Sequence, residues 1–157
     1  MSFIKSISGF RGTIGGKVGD NLTPLDIVEC AAAYGSWLKS RHSGPIKVVI
    51  GRDGRISGPM VSSLVTQTLL GLGINILDLG LSTTPTVEIA VPIEQAQGGI
   101  ILTASHNPKE WNALKLLNEK GEFISAQDGQ DLLQIVDEKS FDFCGVDELG
   151  KYSEDDT

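Results

Sequence analysis

The chain is poor in the residues that most often mark a metal centre or a cross-linked fold: its 157 residues include two cysteines, Cys30 and Cys144, and two histidines. The cysteines lie far apart and form no Cys-x-x-Cys pair, which argues against a thiolate metal site and against a disulfide framework. Cys30 falls on the apolar face of a predicted helix and reads as a small core residue. No apolar run approaches the length needed to span a bilayer, and Met1-Ser2-Phe3-Ile4-Lys5 lacks the layout of a secretory signal. The expectation is a cytoplasmic protein with no membrane contact. A basic excess is missing too. The net charge of −7 argues against a nucleic-acid partner, which would need a basic stripe to displace counterions.

That charge is uneven. From Asp142 to Thr157 six acids stand against Lys151, a balance of −5 that leaves −2 for the rest of the chain. Residues 1–141 are therefore expected to form one domain, and 142–157 an acidic, solvated linker or frayed end.

Two nucleotide-binding loops are also absent. A phosphate loop ending at Gly16-Lys17 would need glycine at Arg11 and serine or threonine at Val18. Gly71-Leu72-Gly73 does not extend to a dinucleotide fingerprint, because Ile76 occupies the third glycine's place.

What is present is ordinary for a globular domain able to bury a core: 40% hydrophobic residues, 21% charged, and 19 glycines for tight turns between short elements. Phe3 to Phe10 alternates as a strand with one buried face and runs into a glycine-flanked Arg11. Thr23-Pro24 starts a helix, with Ile27, Ala31, Tyr34 and Leu38 on its inner stripe. Lys47 to Gly51 is a strand, Ser57 caps a second helix, Ile74 to Leu79 is a third strand, and Thr84-Pro85 opens a short helix through Val91. Gly98 to Leu102 is a further strand and Ser125 starts a last helix. Such alternation predicts crossover units on a mixed, largely parallel sheet covered on both faces, a three-layer α/β/α sandwich.

The organising stretch is Gly98-Gly99-Ile100-Ile101-Leu102-Thr103-Ala104-Ser105-His106-Asn107-Pro108. Its apolar run is too short for a helix and too branched for a loop, so it reads as a buried strand delivering Ser105 to a sheet edge. Asn107-Pro108 then forces a turn. His106 can move a proton near neutral pH, although neighbours on extended chain point to opposite sides, so adjacency alone does not make it the base for Ser105.

Thr103-Ala104-Ser105-His106-Asn107-Pro108 resembles the active-site signature of the α-D-phosphohexomutases, the family of phosphoglucomutase, phosphomannomutase and phosphoglucosamine mutase. The resemblance implies that this is the family's N-terminal domain I and that Ser105 carries a phosphoryl group. The group would pass to a hexose phosphate, and the other phosphoryl group of the bisphosphate formed would return to the serine.

Three more segments fall in the family's order. Gly9-Phe10-Arg11-Gly12 resembles its Ile-Arg-Gly segment, with Ile7-Ser8 and Phe10 as departures, and implies that Arg11 presents a guanidinium fork to phosphate. Arg52-Asp53-Gly54-Arg55-Ile56-Ser57-Gly58 resembles Gly-Arg-Asp-x-Arg-x-Ser-Gly. Its charged residues are read as holding one another and the adjoining loops. Lys115 lies at the family's interval from Ser105. It can transfer a proton or neutralise the phosphoryl charge, and the second needs no pKa shift. Ala113 replaces a glycine there, and a position requiring positive φ would strain it.

The implied catalytic set is Ser105, His106, Lys115 and Arg11, with Asn107 joining these four among the phosphate-binding residues. Phosphoserine adds about −1.5 to −2 charge, which Arg11, Lys115 and His106 are the candidates to balance, but these do not suffice for a mutase. A Mg²⁺ ion is implied, taking one phosphate oxygen from Ser105 and the rest of its ligands from an Asp-Gly-Asp-x-Asp-Arg loop in a second domain. No such loop occurs in these 157 residues, nor do the sugar-recognition and phosphate-binding loops of the family's later domains. The expectation is a first domain that partners the remaining domains of the same polypeptide and a hexose phosphate, and does not turn over substrate alone. A non-catalytic sugar-phosphate-binding domain is the alternative. A serine hydrolase is disfavoured by the lack of a Gly-x-Ser-x-Gly elbow and of an acid assigned to His106.

Overall fold

The computed structural model describes residues 3–6 and 9–155. Its elements run β1 Ile4–Ser6, β2 Gly9–Thr13, α1 Pro24–Arg41, β3 Lys47–Arg52, α2 Gly58–Gly71, β4 Asn75–Leu81, α3 Thr84–Ile93, β5 Gly98–Leu102, β6 Trp111–Leu117, α4 Ala126–Glu138 and β7 Tyr152–Glu154, with a 3-10 turn at Val146–Glu148. All seven strands join one sheet in the order β1-β2-β6-β5-β3-β4-β7. β5, β3, β4 and β7 are mutually parallel, whereas β6 is antiparallel to β5, β2 to β6 and β1 to β2. Five strands therefore point one way and two, β6 and β1, oppose them. The sheet is mixed and largely parallel in sense, as expected.

Helices cover both faces, unequally. Ile27, Tyr34 and Leu38 of α1, Val61, Val65 and Leu69 of α2 and Leu132 of α4 pack with Val48, Ile50, Ile100 and Leu114 on one face. Val87 and Val91 of α3 alone cover Val49, Leu77, Ile101 and Leu117 on the other. One helix cannot span seven strands, so the α3 face is left open towards β6 and β2. Burial of each core aliphatic side chain contributes roughly 1.5–3 kcal/mol.

The helix starts follow local chemistry. Thr23 and Ser125 each form a capping box with the aspartate three residues on, Asp26 and Asp128. Ser57 departs from expectation. It precedes α2 in a right-handed helical conformation with no side-chain cap, and its hydroxyl accepts instead from Asn112 Nδ2 at 2.8 Å. The demand of the fully buried Asn112 amide outweighs the cap, since a buried amide without a partner is costly.

Three further expectations are corrected. The strand predicted over Phe3 to Phe10 is a hairpin, β1 paired with β2; Ile7 and Ser8 lie outside the described residues. Arg11, placed beyond the predicted strand, sits within β2. Ala113 lies within β6 opposite Arg11 and is not among the non-glycine residues of positive φ, so alanine is unstrained there. The segment after Asp142 is not a free linker over its described residues. Cys144 N–H donates to the Gly71 carbonyl and Gly150 N–H to that of Leu70, and β7 pairs with β4. An edge strand offers unpaired backbone groups to any segment, and an acidic side chain does not prevent pairing while it faces water, as that of Glu154 does. Asp156 and Thr157 lie outside the described residues.

Cys30 is buried as expected, and burial pushes its thiol pKa well up. Among the described residues, no helix is long and apolar enough to cross a membrane.

Candidate active site

β5 is buried along its whole length, and its backbone is clamped by Tyr34. That hydroxyl accepts from Gly99 N–H at 3.0 Å and donates to the Leu117 carbonyl at 2.6 Å, which ties β5 to β6 at the end remote from the serine. Beyond Leu102 the chain leaves the core. Ala104 is still buried, whereas Ser105 is exposed with φ of +54°, a left-handed conformation that costs an L-residue roughly 1–2 kcal/mol. A residue held there needs surrounding structure to fix it.

That structure is a polar network. Ser105 N–H donates to Thr103 Oγ1 at 3.1 Å, and Thr103 Oγ1 donates to Asp53 at 2.6 Å. Arg55 donates from Nε to the same carboxylate at 3.3 Å. Its terminal nitrogens reach the carbonyls of Ser105 and Asn107, both at 2.8 Å, of Pro108 at 2.7 Å and of Trp111 at 3.2 Å. Asn107 turns inward: its backbone N–H and its side-chain amide both donate to the Ala104 carbonyl at 3.0 Å. The side chain named as a phosphate ligand thus closes the turn through its amide nitrogen.

Of the implied catalytic set, Lys115 is the residue whose side chain meets the serine hydroxyl among the described residues, its Nζ donating to Ser105 Oγ at 2.8 Å. It stands on β6 in register with Ile101 of β5 and with Gly9 of β2. Side chains alternate along a strand, so Lys115 shares its face with Ile101, which packs under α3. Arg11 opposes Ala113, two residues from Lys115, and therefore projects from that same open face. It is exposed, and among the described residues no hydrogen bond or ion pair is assigned to its guanidinium. His106 is exposed beside Ser105 and likewise has no hydrogen bond there. The fold thus gathers an accessible hydroxyl, an amine in contact with it and a guanidinium on the same uncovered face. In such a place an oxyanion group gains from cations that need not reorganise.

A divalent ion is not housed by this chain alone: among the described residues, no group of three or more His, Cys, Asp or Glu side chains could hold a metal. Asp53, the carboxylate beside the loop, is already taken by Thr103 and Arg55.

Thr103 and the reach of Arg55 into the loop are what reading the sequence underweights. Arg55 is identified there as a holding residue, but nothing local says that its acceptors lie some fifty positions away.

The comparisons with known proteins bear on the family and the fold. The family description "Phosphoglucomutase/phosphomannomutase, alpha/beta/alpha domain I" matches residues 5–143. The phosphomannomutase of Vibrio cholerae is 31% identical over 150 residues, covering 95% of this chain and 32% of the relative. The phosphoglucosamine mutase of Alkaliphilus metalliredigens is 37% identical over 108 residues, covering 69% of the chain and 24% of the relative. A crystal structure of a phosphoglucomutase/phosphomannomutase family protein from Burkholderia thailandensis superposes with a TM-score of 0.80 at 25% identity, over 96% of this chain and 32% of that one. The chain therefore spans no more than about a third of the length of these relatives. With the match running from β1 to the segment after α4, the chain belongs to the phosphoglucomutase/phosphomannomutase family, of which it forms the α/β/α domain I.

Proposed function

We propose that this chain is the phosphoserine domain of a phosphohexomutase, an enzyme that interconverts hexose 1-phosphate and hexose 6-phosphate. The observation that carries the reading is the Lys115 amine 2.8 Å from the hydroxyl of an exposed, left-handed Ser105. Phosphoserine 105 gives its phosphoryl group to the free hydroxyl of a hexose monophosphate: the Oγ–P bond breaks, a P–O bond to the sugar forms, and the sugar hydroxyl loses its proton to a base. After the bisphosphate reorients, the other phosphoryl group passes to Ser105 Oγ and the product leaves.

Lys115 neutralises charge on the transferring group, Arg11 binds phosphate oxygens from the open face, and His106 is within the same loop to move a proton. A Mg²⁺ ion would draw one phosphate oxygen from Ser105 and its remaining ligands from outside this chain. Hexose selection and turnover are ascribed to the additional length found in the relatives, and the 157 residues alone are expected to fold without turning over substrate.

Intact mass and ³¹P spectra of the protein purified from its natural host test the reading. Covalent phosphate on Ser105 supports it. Absence of phosphate from the active-length protein points to a binding module, and labelling of Ser105 by an acylating serine reagent points to a hydrolase.

A further inference from the structure

We infer that Arg55 is a positioning residue for phosphoryl transfer at Ser105: it gathers the loop's carbonyls on one side and thereby turns the loop's free N–H groups and the serine hydroxyl to the other. The inference rests on the reading of Ser105 as the phosphoryl carrier.

Arg55 is not available to substrate. Its side chain is 11% exposed, and Nε and both terminal nitrogens are engaged, on Asp53 and on the carbonyls of Ser105, Asn107, Pro108 and Trp111. A planar guanidinium can serve so many acceptors because its donors are spread in a fixed fork, which a lysine ammonium cannot reproduce. The consequence follows from peptide planarity. In a trans peptide the C=O and the next N–H point in opposite directions. With the Ser105 carbonyl on Arg55, the N–H of His106 is directed away from the guanidinium; with the Pro108 carbonyl there, so is the N–H of Lys109. No hydrogen bond within the described residues is assigned to either N–H. The Asn107 carbonyl, also on Arg55, is followed by Pro108, which has no N–H to orient.

The same residue closes a ring through the serine. Arg55 holds Asp53, Asp53 accepts from Thr103, and Thr103 accepts the Ser105 N–H. Both backbone groups of Ser105 are thereby fixed, its carbonyl directly and its N–H through two side chains. This is what a left-handed serine requires, since without such partners the backbone relaxes to a commoner conformation and carries Oγ away from the Lys115 amine.

The test uses the complete polypeptide that the gene encodes, assayed for mutase activity, with R55Q and R55K as variants. R55Q is expected to lower kcat by at least about tenfold, because misplacing a reacting group by about 1 Å costs up to roughly a hundredfold. KM for the hexose phosphate should change by less than about twofold, since Arg55 does not touch substrate. The ³¹P resonance of the phosphoserine should shift, and R55K should not recover kcat. T103V, which removes the hydroxyl link while keeping the side chain's shape, gives the same pattern more weakly and serves if R55Q fails to fold. A folded R55Q or T103V with kcat within about twofold of wild type overturns the inference alone. A wild-type protein with neither phosphoserine nor mutase activity overturns the reading of Ser105, and the inference falls with it.

Discussion

Replacing Lys115 with methionine keeps the aliphatic stem on β6 and removes the amine that stands 2.8 Å from Ser105 Oγ. Once the serine is phosphorylated, that amine faces a group carrying about −1.5 to −2 charge. Two unit charges about 4 Å apart interact by roughly 4 kcal/mol at an effective dielectric of about 20, the value suited to sites near a protein surface. Lys115 is half-buried, so solvent recovers part of this. Removing one donor aimed at developing charge costs about 10²–10³ in kcat, about 2.7–4 kcal/mol, and the lower end is expected here. K115M in the complete polypeptide should therefore lower kcat about a hundredfold at saturating hexose phosphate. K115R separates the two roles open to this residue. A guanidinium is not deprotonated in proteins, so an enzyme that needed Lys115 for proton transfer would lose as much in K115R as in K115M. One that needed only its charge would retain well over a tenth of wild-type kcat. A fall of less than about tenfold in K115M, with phosphoserine occupancy by intact mass unchanged, refutes charge neutralisation at this position.

Three further outcomes follow from the same geometry. Y34F leaves the Gly99 N–H and Leu117 carbonyl, both paired with the hydroxyl, without partners in the core. At about 1–3 kcal/mol per unsatisfied buried group, it should lose about 2–6 kcal/mol in urea unfolding, and a loss under about 0.5 kcal/mol contradicts the clamp. Burial also raises the Tyr34 pKa well above its ordinary value of 10.0, so its contribution to stability is intact below about pH 10 and fades as pH rises towards the native pKa. The alkaline loss should be smaller in Y34F, as pH-dependent unfolding would measure. S105G and S105A both abolish the Lys115 contact, but only glycine takes φ of +54° without strain. S105G should be the more stable by about 1 kcal/mol, and equal or reversed stabilities would deny the strain. R11Q, altering an exposed side chain, should leave stability within about 0.5 kcal/mol. It should also reduce kcat/KM by about 10–100-fold through loss of a charged hydrogen bond to phosphate, and unchanged kcat/KM would remove Arg11 from the site.

Much of the domain was legible because its signals are local. Thr23 with Asp26 and Ser125 with Asp128 are capping boxes within one turn of chain, and the strand from Gly98 to Leu102 is set by five consecutive buried positions. Thr103 to Pro108 carries the family resemblance in six residues, and the interval to Lys115 picks out the amine that meets the Ser105 hydroxyl. Other features depended on groups far apart in sequence. Arg55 finds its carbonyls 50 to 56 positions away, and Tyr34 spans 83 residues to Leu117. The tail reaches β4 by backbone pairing that its acidic side chains conceal. Propensity and spacing describe what a segment prefers alone. Which backbone groups remain unpaired, and which distant donor comes near enough to satisfy them, is decided only when the sheet closes around them.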